Sequence, residues 1–209
     1  MSAHPQTPPG EAALTLRDMD LELLALDLTS CTRCVGTLTN MEQAIGMLQQ
    51  VLQVTGFDVR VQKILIASEA QARQYHFVTS PTLRINGQDI VFETLESACD
   101  SCTEQCGCPE GTRCRVWRYQ GLEYTEAPVG LIVEAILRVI YNSQTQAASA
   151  PGGYAGVPEN LQRVFASRSA RDSTTASACC APAEQEACCE PVAKSACCGT
   201  VETPTCGCQ

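Results

Sequence analysis

Basic residues are scarce in this chain and histidine is nearly absent. Lys and Arg total 14 against 23 Asp and Glu, a net charge of −9 with no basic run. Nucleic acid and anionic membrane therefore find no cationic face to bind, and neither is expected as a partner. Only His4 and His76 carry imidazoles; neither adjoins a cysteine cluster, so each is expected at the surface or satisfied within the fold rather than on a metal. No stretch approaches the roughly 20 apolar residues of a membrane span. Met1 to Gly10 lack the basic start and apolar core of a secretory signal, which sets cytoplasmic location as the expectation. No Ser, Asp or Glu constellation points to hydrolysis, and no organic cofactor is expected. From Ala166 to Gln209 there is no aromatic residue and no Leu, Ile or Met. Such a segment cannot bury enough apolar surface to offset chain-ordering entropy, so the C-terminal tail is expected to be disordered on its own.

Sulfur is what the chain has in abundance, with 15 cysteines in 209 residues. In a reducing cytosol thiols serve as metal ligands or redox catalysts more often than as static disulfides. The length has room for one ordinary domain with appendages. Residues 1–19 read as a flexible lead-in, and residues 20–141 as the globular domain. That domain begins with a buried apolar strand over 21–28. A helix follows, in which Val35, Leu38, Met41, Ala44, Ile45, Leu48, Val51 and Leu52 recur at helical spacing before Gly56, with Thr29, Ser30 and Thr32 as the caps on offer. An alternating β-branched strand over 58–66 and a short helix over 69–75 come next. Strands over 82–85 and 89–92 flank Asn86-Gly87, a dipeptide suited to a tight hairpin turn. The strand-helix-strand order calls for a parallel crossover. Beyond a cysteine-rich insertion, 99–114, lie a strand over 115–119 and a helix opened by Pro128 with one apolar stripe. Residues 142–177 read as a linker holding a short helix over 157–165, whose Leu161, Val164 and Phe165 suit docking back onto the domain. Residues 178–209 form the tail.

Cys31-Thr32-Arg33-Cys34 joins the first strand to the long helix. There the helix N-terminus and Arg33 favour a thiolate on Cys31, and Cys34, three residues on, is placed to resolve a mixed disulfide. Thr79-Ser80-Pro81-Thr82 precedes the hairpin. With these two motifs, the order of elements across residues 20–141 resembles the thioredoxin-like superfamily. That resemblance implies an α/β fold with a sheet flanked by helices, Cys31 as nucleophile, Cys34 as resolving thiol and Pro81 as a cis-proline facing them. More narrowly, Cys99-x-x-Cys102 and Cys114-Arg115-Val116-Trp117 make the chain similar to an uncharacterised prokaryotic thioredoxin-like family with a second cysteine cluster. The Trp-Cys-Gly-Pro-Cys form of general thioredoxins is not present. A copper-chaperone-like ferredoxin fold also places C-x-x-C between strand and helix, to carry a soft cation; the long helix and the Ser80-Pro81 hairpin order favour the thioredoxin-like reading.

Cys99, Cys102, Cys106, Cys108 and Cys114 form the middle cluster. Four thiolates can surround one tetrahedral ion, for which zinc is the natural structural choice, with an iron–sulfur cluster or a metalloid as alternatives. The competing reading is a disulfide-braced loop or uncoordinated thiols. In the tail, Cys179-Cys180, Cys188-Cys189 and Cys197-Cys198 recur every nine residues, followed by Cys206 and Cys208. Adjacent cysteines close only a strained disulfide ring but suit thiophilic ions such as arsenite, Cu(I), Cd(II), Zn(II) or Hg(II). In composition and pairing the tail is similar to metallothionein-type tails and to the vicinal-cysteine sites of arsenic-handling proteins; the alternative is a low-complexity tail without function. The leading expectation is a cytosolic thiol protein that binds soft metal or metalloid ions in heavy-metal resistance. A thiol–disulfide oxidoreductase with the tail as electron relay, served by a thiol reductant or redox partner protein, is the alternative. A binder holding zinc only in the middle cluster is a third reading.

Overall fold

The computed structural model describes residues 16–99, 108–142 and 154–177. Cys102, Cys106, residues 1–15 of the lead-in and all tail cysteines lie outside the described residues.

Strand β1 (Arg17–Ala25) begins with alternating burial and ends fully buried. It starts earlier than its apolar run because Arg17 to Asp20 pair in parallel register with Phe57 to Arg60 of β2 (Phe57–Leu65). There the outward carboxylates of Asp18 and Asp20 both meet Arg60. Between these strands runs α1 (Thr32–Val54), which buries Cys34, Thr37, Met41, Ala44, Leu48 and Leu52 along one face. Gly56, at φ +71°, supplies the left-handed turn that ends it. The expected parallel crossover is thus present.

A short helix α2 (Glu69–Gln74), capped by Ser68, leads to β3 (Thr82–Ile85), antiparallel to β1. Asn86 and Gly87, at φ +52° and +78°, turn the chain into β4 (Gln88–Asp89). The second hairpin strand is shorter than 89–92. Asp89 Oδ1 accepts the Val91 N–H at 3.2 Å and its other oxygen holds Arg115 at 2.7 Å, so the backbone leaves the ladder there. The sheet order is β2-β1-β3-β4. This mixed sheet is compatible with a thioredoxin-like arrangement.

A second sheet, β5-β6-β7, is built from β5 (Leu95–Ala98), β6 (Arg113–Tyr119) and β7 (Leu122–Tyr124). Helix α3 (Val129–Asn142) lays Leu131, Ile132, Ala135, Ile136 and Ile140 against the main core with Met19, Leu23, Met41 and Trp117. The last described helix, α4 (Glu159–Ser177), has 19 residues and outruns the segment 157–165 read from sequence. Val157, Leu161, Val164 and Phe165 pack into a second cluster, separate from the main core. Each such side chain contributes about 2 kcal/mol of transfer free energy before ordering costs.

Candidate functional site

The second cluster is where the cysteines meet. Cys31, Cys34, Cys99, Cys108 and Cys114 are all buried thiols, and all five belong to the cluster that α4 covers, together with Leu24, Leu26 and Phe77. The C-x-x-C pair and the middle cluster, read as separate devices from sequence, thus share one interior. Cys102 and Cys106 lie outside the described residues. Among the described residues no three His, Cys, Asp or Glu side chains group closely enough to enclose a metal ion. Cys99, Cys108 and Cys114 as placed therefore do not fit a zinc site by themselves.

Cys31 is itself the N-cap of α1, in extended conformation (φ −70°, ψ 111°), and it makes no side-chain capping bond. The turn that leads into the helix is held by Asp27. Its Oδ1 accepts the N–H groups of Thr29 (2.7 Å), Ser30 (2.7 Å) and Cys31 (3.1 Å), while Oδ2 takes the Ser30 hydroxyl at 3.0 Å. None of the caps expected at Thr29, Ser30 or Thr32 holds the N-cap position, which falls to Cys31; Asp27 binds Thr29 and Ser30 in the turn before it. Burial pushes the Asp27 carboxyl upward, but the N–H donors of Ser30, Thr29 and Cys31 outweigh it and hold its pKa at about 2. The approach to Cys31 is thereby fixed by a charge that sequence reading missed. An Asp followed at two and three positions by Thr and Ser is the local signal that could have found it.

Cys34 lies one turn into α1, 1 % exposed. Its Sγ is 3.5 Å from Ser80 Oγ, and that same oxygen accepts the Leu26 N–H at 3.1 Å. The Ser80-Pro81 peptide is cis, so Pro81 is found in the conformation the resemblance implied. Hydrogen bonding to Cys31 pushes the Cys34 thiol far above its ordinary range, and burial and the electrostatic interaction with Cys31 add to this. Ser80 pulls the other way and the electrostatic interaction with Cys114 adds a further rise. Cys34 is therefore held protonated, as a donor towards Cys31.

Arg33 does not aim at the thiols. It donates to Ser97 Oγ at 3.0 Å and to the Ala98 carbonyl at 2.7 Å, with longer bonds to the carbonyls of Cys114 and Arg115 at 3.4 and 3.5 Å. One side chain of the C-x-x-C motif thus ties α1 to the β5–β6 hairpin. Arg115 has 0 % exposure. It pairs with Asp89, donates to Thr82 Oγ1 at 3.3 Å and stacks over Trp117 at 4.7 Å, while its N–H donates to the Ser80 carbonyl at 2.7 Å. Sequence reading gave Arg115 no role, since an arginine in an alternating strand reads as solvent-facing.

Helix α4 is fastened over the cluster by polar bonds as well as packing. Asn160 accepts the Arg113 N–H at 3.0 Å and donates to the Arg113 carbonyl at 2.8 Å. Arg163 donates to the Glu110 carbonyl at 3.0 Å, and Arg168 reaches the Leu26 carbonyl at 3.0 Å. Before the helix, Tyr154 stacks on His76 with ring centres 4.6 Å apart. No helix among the described residues is long and apolar enough to cross a membrane.

No curated protein and no solved structure gives a significant match to the chain. A family profile described as Domain of unknown function (DUF2703) matches residues 19–136. The match runs from β1 through α3, takes in Cys31, Cys34, Pro81 and the whole middle cluster, and covers more than half of the chain, which therefore belongs to the DUF2703 family.

Proposed function

We propose that this protein is a thioredoxin-like thiol protein in which Cys31 and Cys34 form an exchange site and the tail cysteines collect thiophilic metal or metalloid ions, in a metal-resistance role. The observation that carries the reading is the bonded pair at the start of α1. Cys34 is kept protonated by Cys31 and by burial, and it contacts Ser80 of the cis Ser80-Pro81 loop. In thiol exchange one sulfur must attack as thiolate while its neighbour holds a proton until the mixed disulfide is resolved. The pair divides these tasks, with Cys31 as attacker and Cys34 as resolver. Cys31 is 1 % exposed, in the cluster to which Leu161, Val164 and Phe165 of α4 also belong, so exchange with an outside molecule requires that cluster to open, and α4 is the cover we assign to it.

The tail pairs, Cys179-Cys180, Cys188-Cys189, Cys197-Cys198 and Cys206 with Cys208, supply the soft ligands, and arsenite, Cu(I), zinc, cadmium and mercury are the cargo their chemistry suits. The test uses anaerobically purified protein, full length and ending at Ser177, each with and without Cys31→Ser. Zinc, Cu(I) and arsenite are offered in competition and bound ions are counted by native mass spectrometry; reduction of a small disulfide is assayed in parallel. Loss of most ions on removing the tail and loss of disulfide reduction in Cys31→Ser are the expected results. Unchanged ion stoichiometry without the tail would remove the sequestration role. Undiminished reduction by Cys31→Ser would remove the exchange site.

The thiol–disulfide oxidoreductase reading, in which reduction of a partner is the main activity and the tail relays electrons, is favoured by one observation of its own. Cys31, Cys34, Cys99, Cys108 and Cys114 share one buried cluster, which places several thiols within a single interior. Turnover that requires both Cys31 and the tail distinguishes it.

A further inference from the structure

Cys114 has no task in the exchange just described, yet its position is tied to that site on two sides. Its side chain is 0 % exposed, in the same cluster as Cys31 and Cys34. From within the C-x-x-C motif, Arg33 donates to the Cys114 carbonyl at 3.4 Å. Ser80 touches Cys34 through its hydroxyl at 3.5 Å and, through its carbonyl, holds the N–H of Arg115, the next residue to Cys114, at 2.7 Å. The resolving thiol and the start of β6 are therefore fixed against the same serine.

The β5–β6 register adds a further thiol. Ser97 pairs with Cys114, and the Cys99 N–H donates to the Thr112 carbonyl at 3.0 Å, so pairing continues past the end of β5. Residues two apart on a strand share a face, which makes Cys99 and Cys114 diagonal neighbours on one face. Such neighbours lie about 7–8 Å apart, just beyond the Cα separation a disulfide spans, so closing the bond requires the backbone to move. Cys99 follows the last residue of β5, outside the ladder's regular register, and the relay proposed below draws it towards Cys114.

We infer that Cys114 is a third working thiol, which draws the disulfide off the Cys31–Cys34 pair and leaves it between Cys114 and Cys99. This rests on the exchange reading above. A substrate disulfide first oxidises the outer pair, giving a Cys31–Cys34 disulfide and two substrate thiols. Cys114, as thiolate, then attacks the Cys34 sulfur; the Cys31–Cys34 bond breaks, a Cys34–Cys114 bond forms, and Cys31 leaves as thiolate and takes up the proton that Cys114 released. Cys99, as thiolate, attacks the Cys114 sulfur, expelling Cys34, which recovers the proton Cys99 gave up. A Cys99–Cys114 disulfide remains. Two electrons have moved from Cys99 and Cys114 to Cys31 and Cys34, and nothing besides the substrate disulfide is consumed. The outer pair is reset, and one chain accepts a second equivalent.

The test is a time course on fully reduced full-length protein given one equivalent of oxidised glutathione, quenched in acid, alkylated in denaturant and mapped by mass spectrometry, so that tail disulfides are read separately. The expected order is a Cys31–Cys34 disulfide that decays into Cys99–Cys114. Cys114→Ser should stop the oxidation at Cys31–Cys34, and Cys99→Ser should accumulate Cys34–Cys114; if Cys114→Ser does not fold, Cys99→Ser alone decides. A Cys31–Cys34 disulfide that persists while Cys99 and Cys114 are alkylated overturns the relay and leaves the exchange site standing. Equally fast formation of Cys99–Cys114 in Cys31→Ser also overturns it, since oxidation then bypasses the pair. Absence of any Cys31–Cys34 disulfide refutes the exchange reading and the relay with it.

Discussion

Asp27 organises the turn into α1 by giving its carboxylate to three successive N–H groups ending at Cys31. Replacing it with Ala removes the charged acceptor of three N–H groups and should cost about 1–3 kcal/mol, seen as a lower urea midpoint. Its pKa is depressed, from 3.8 to about 2, so its contribution is fully present above the unfolded value of about 4 and is lost as pH falls through about 2. Thermal unfolding from pH 5 to pH 2 should show Asp27→Asn and the unaltered protein converging on acidification; a constant gap would mean that the carboxylate's charge is not what matters. Arg115 sets a second residue-scale expectation. Its side chain is 1 % exposed and its ion-pair partner Asp89 is 21 % exposed. Asp89→Ala strands a buried cation and should cost about 3 kcal/mol in urea unfolding. Adding Arg115→Met should recover part of that loss, because the stranded charge goes with it.

In the proposed exchange, helix α4 is the cover. Leu161 and Phe165 are 0 % and 4 % exposed against the thiols, so Leu161→Ala with Phe165→Ala loosens docking by at least about 3 kcal/mol. Alkylation of Cys31 by iodoacetamide under native conditions should then rise on the order of a hundredfold where opening limits access; equal rates would show that α4 is not the cover. The length of this helix was not legible in the sequence. Its apolar positions stop at Phe165, and the continuation to Ser177 lies in a Ser-, Ala- and Arg-rich stretch that gives no periodic signal. Local patterns did reveal β1, α1, β2 and the Asn86-Gly87 turn, because periodicity and turn chemistry act over a few residues. They also marked Cys31 and Cys34, adjacent on one helix start. They could not bring Cys114 to Cys34 across a long sequence separation, nor bury Arg115, since both outcomes depend on how the second sheet packs against the first.

For the molecule as a whole, the described thiols occupy a single interior rather than separate stations along the chain. The cover over that interior is also the stem of the tail. Arg168 is pinned to the Leu26 carbonyl, and α4 continues nine residues further to Ser177, about 13 Å of helix. That rod acts as a ruler. A chain returning from its tip must first regain this distance, which takes about four residues of extended backbone. Cys179 and Cys180 stand only two and three residues beyond Ser177, at or short of the required span. Cys188 and Cys189 have ample length to cross it, so in the proposed exchange the second pair reaches the domain before the first.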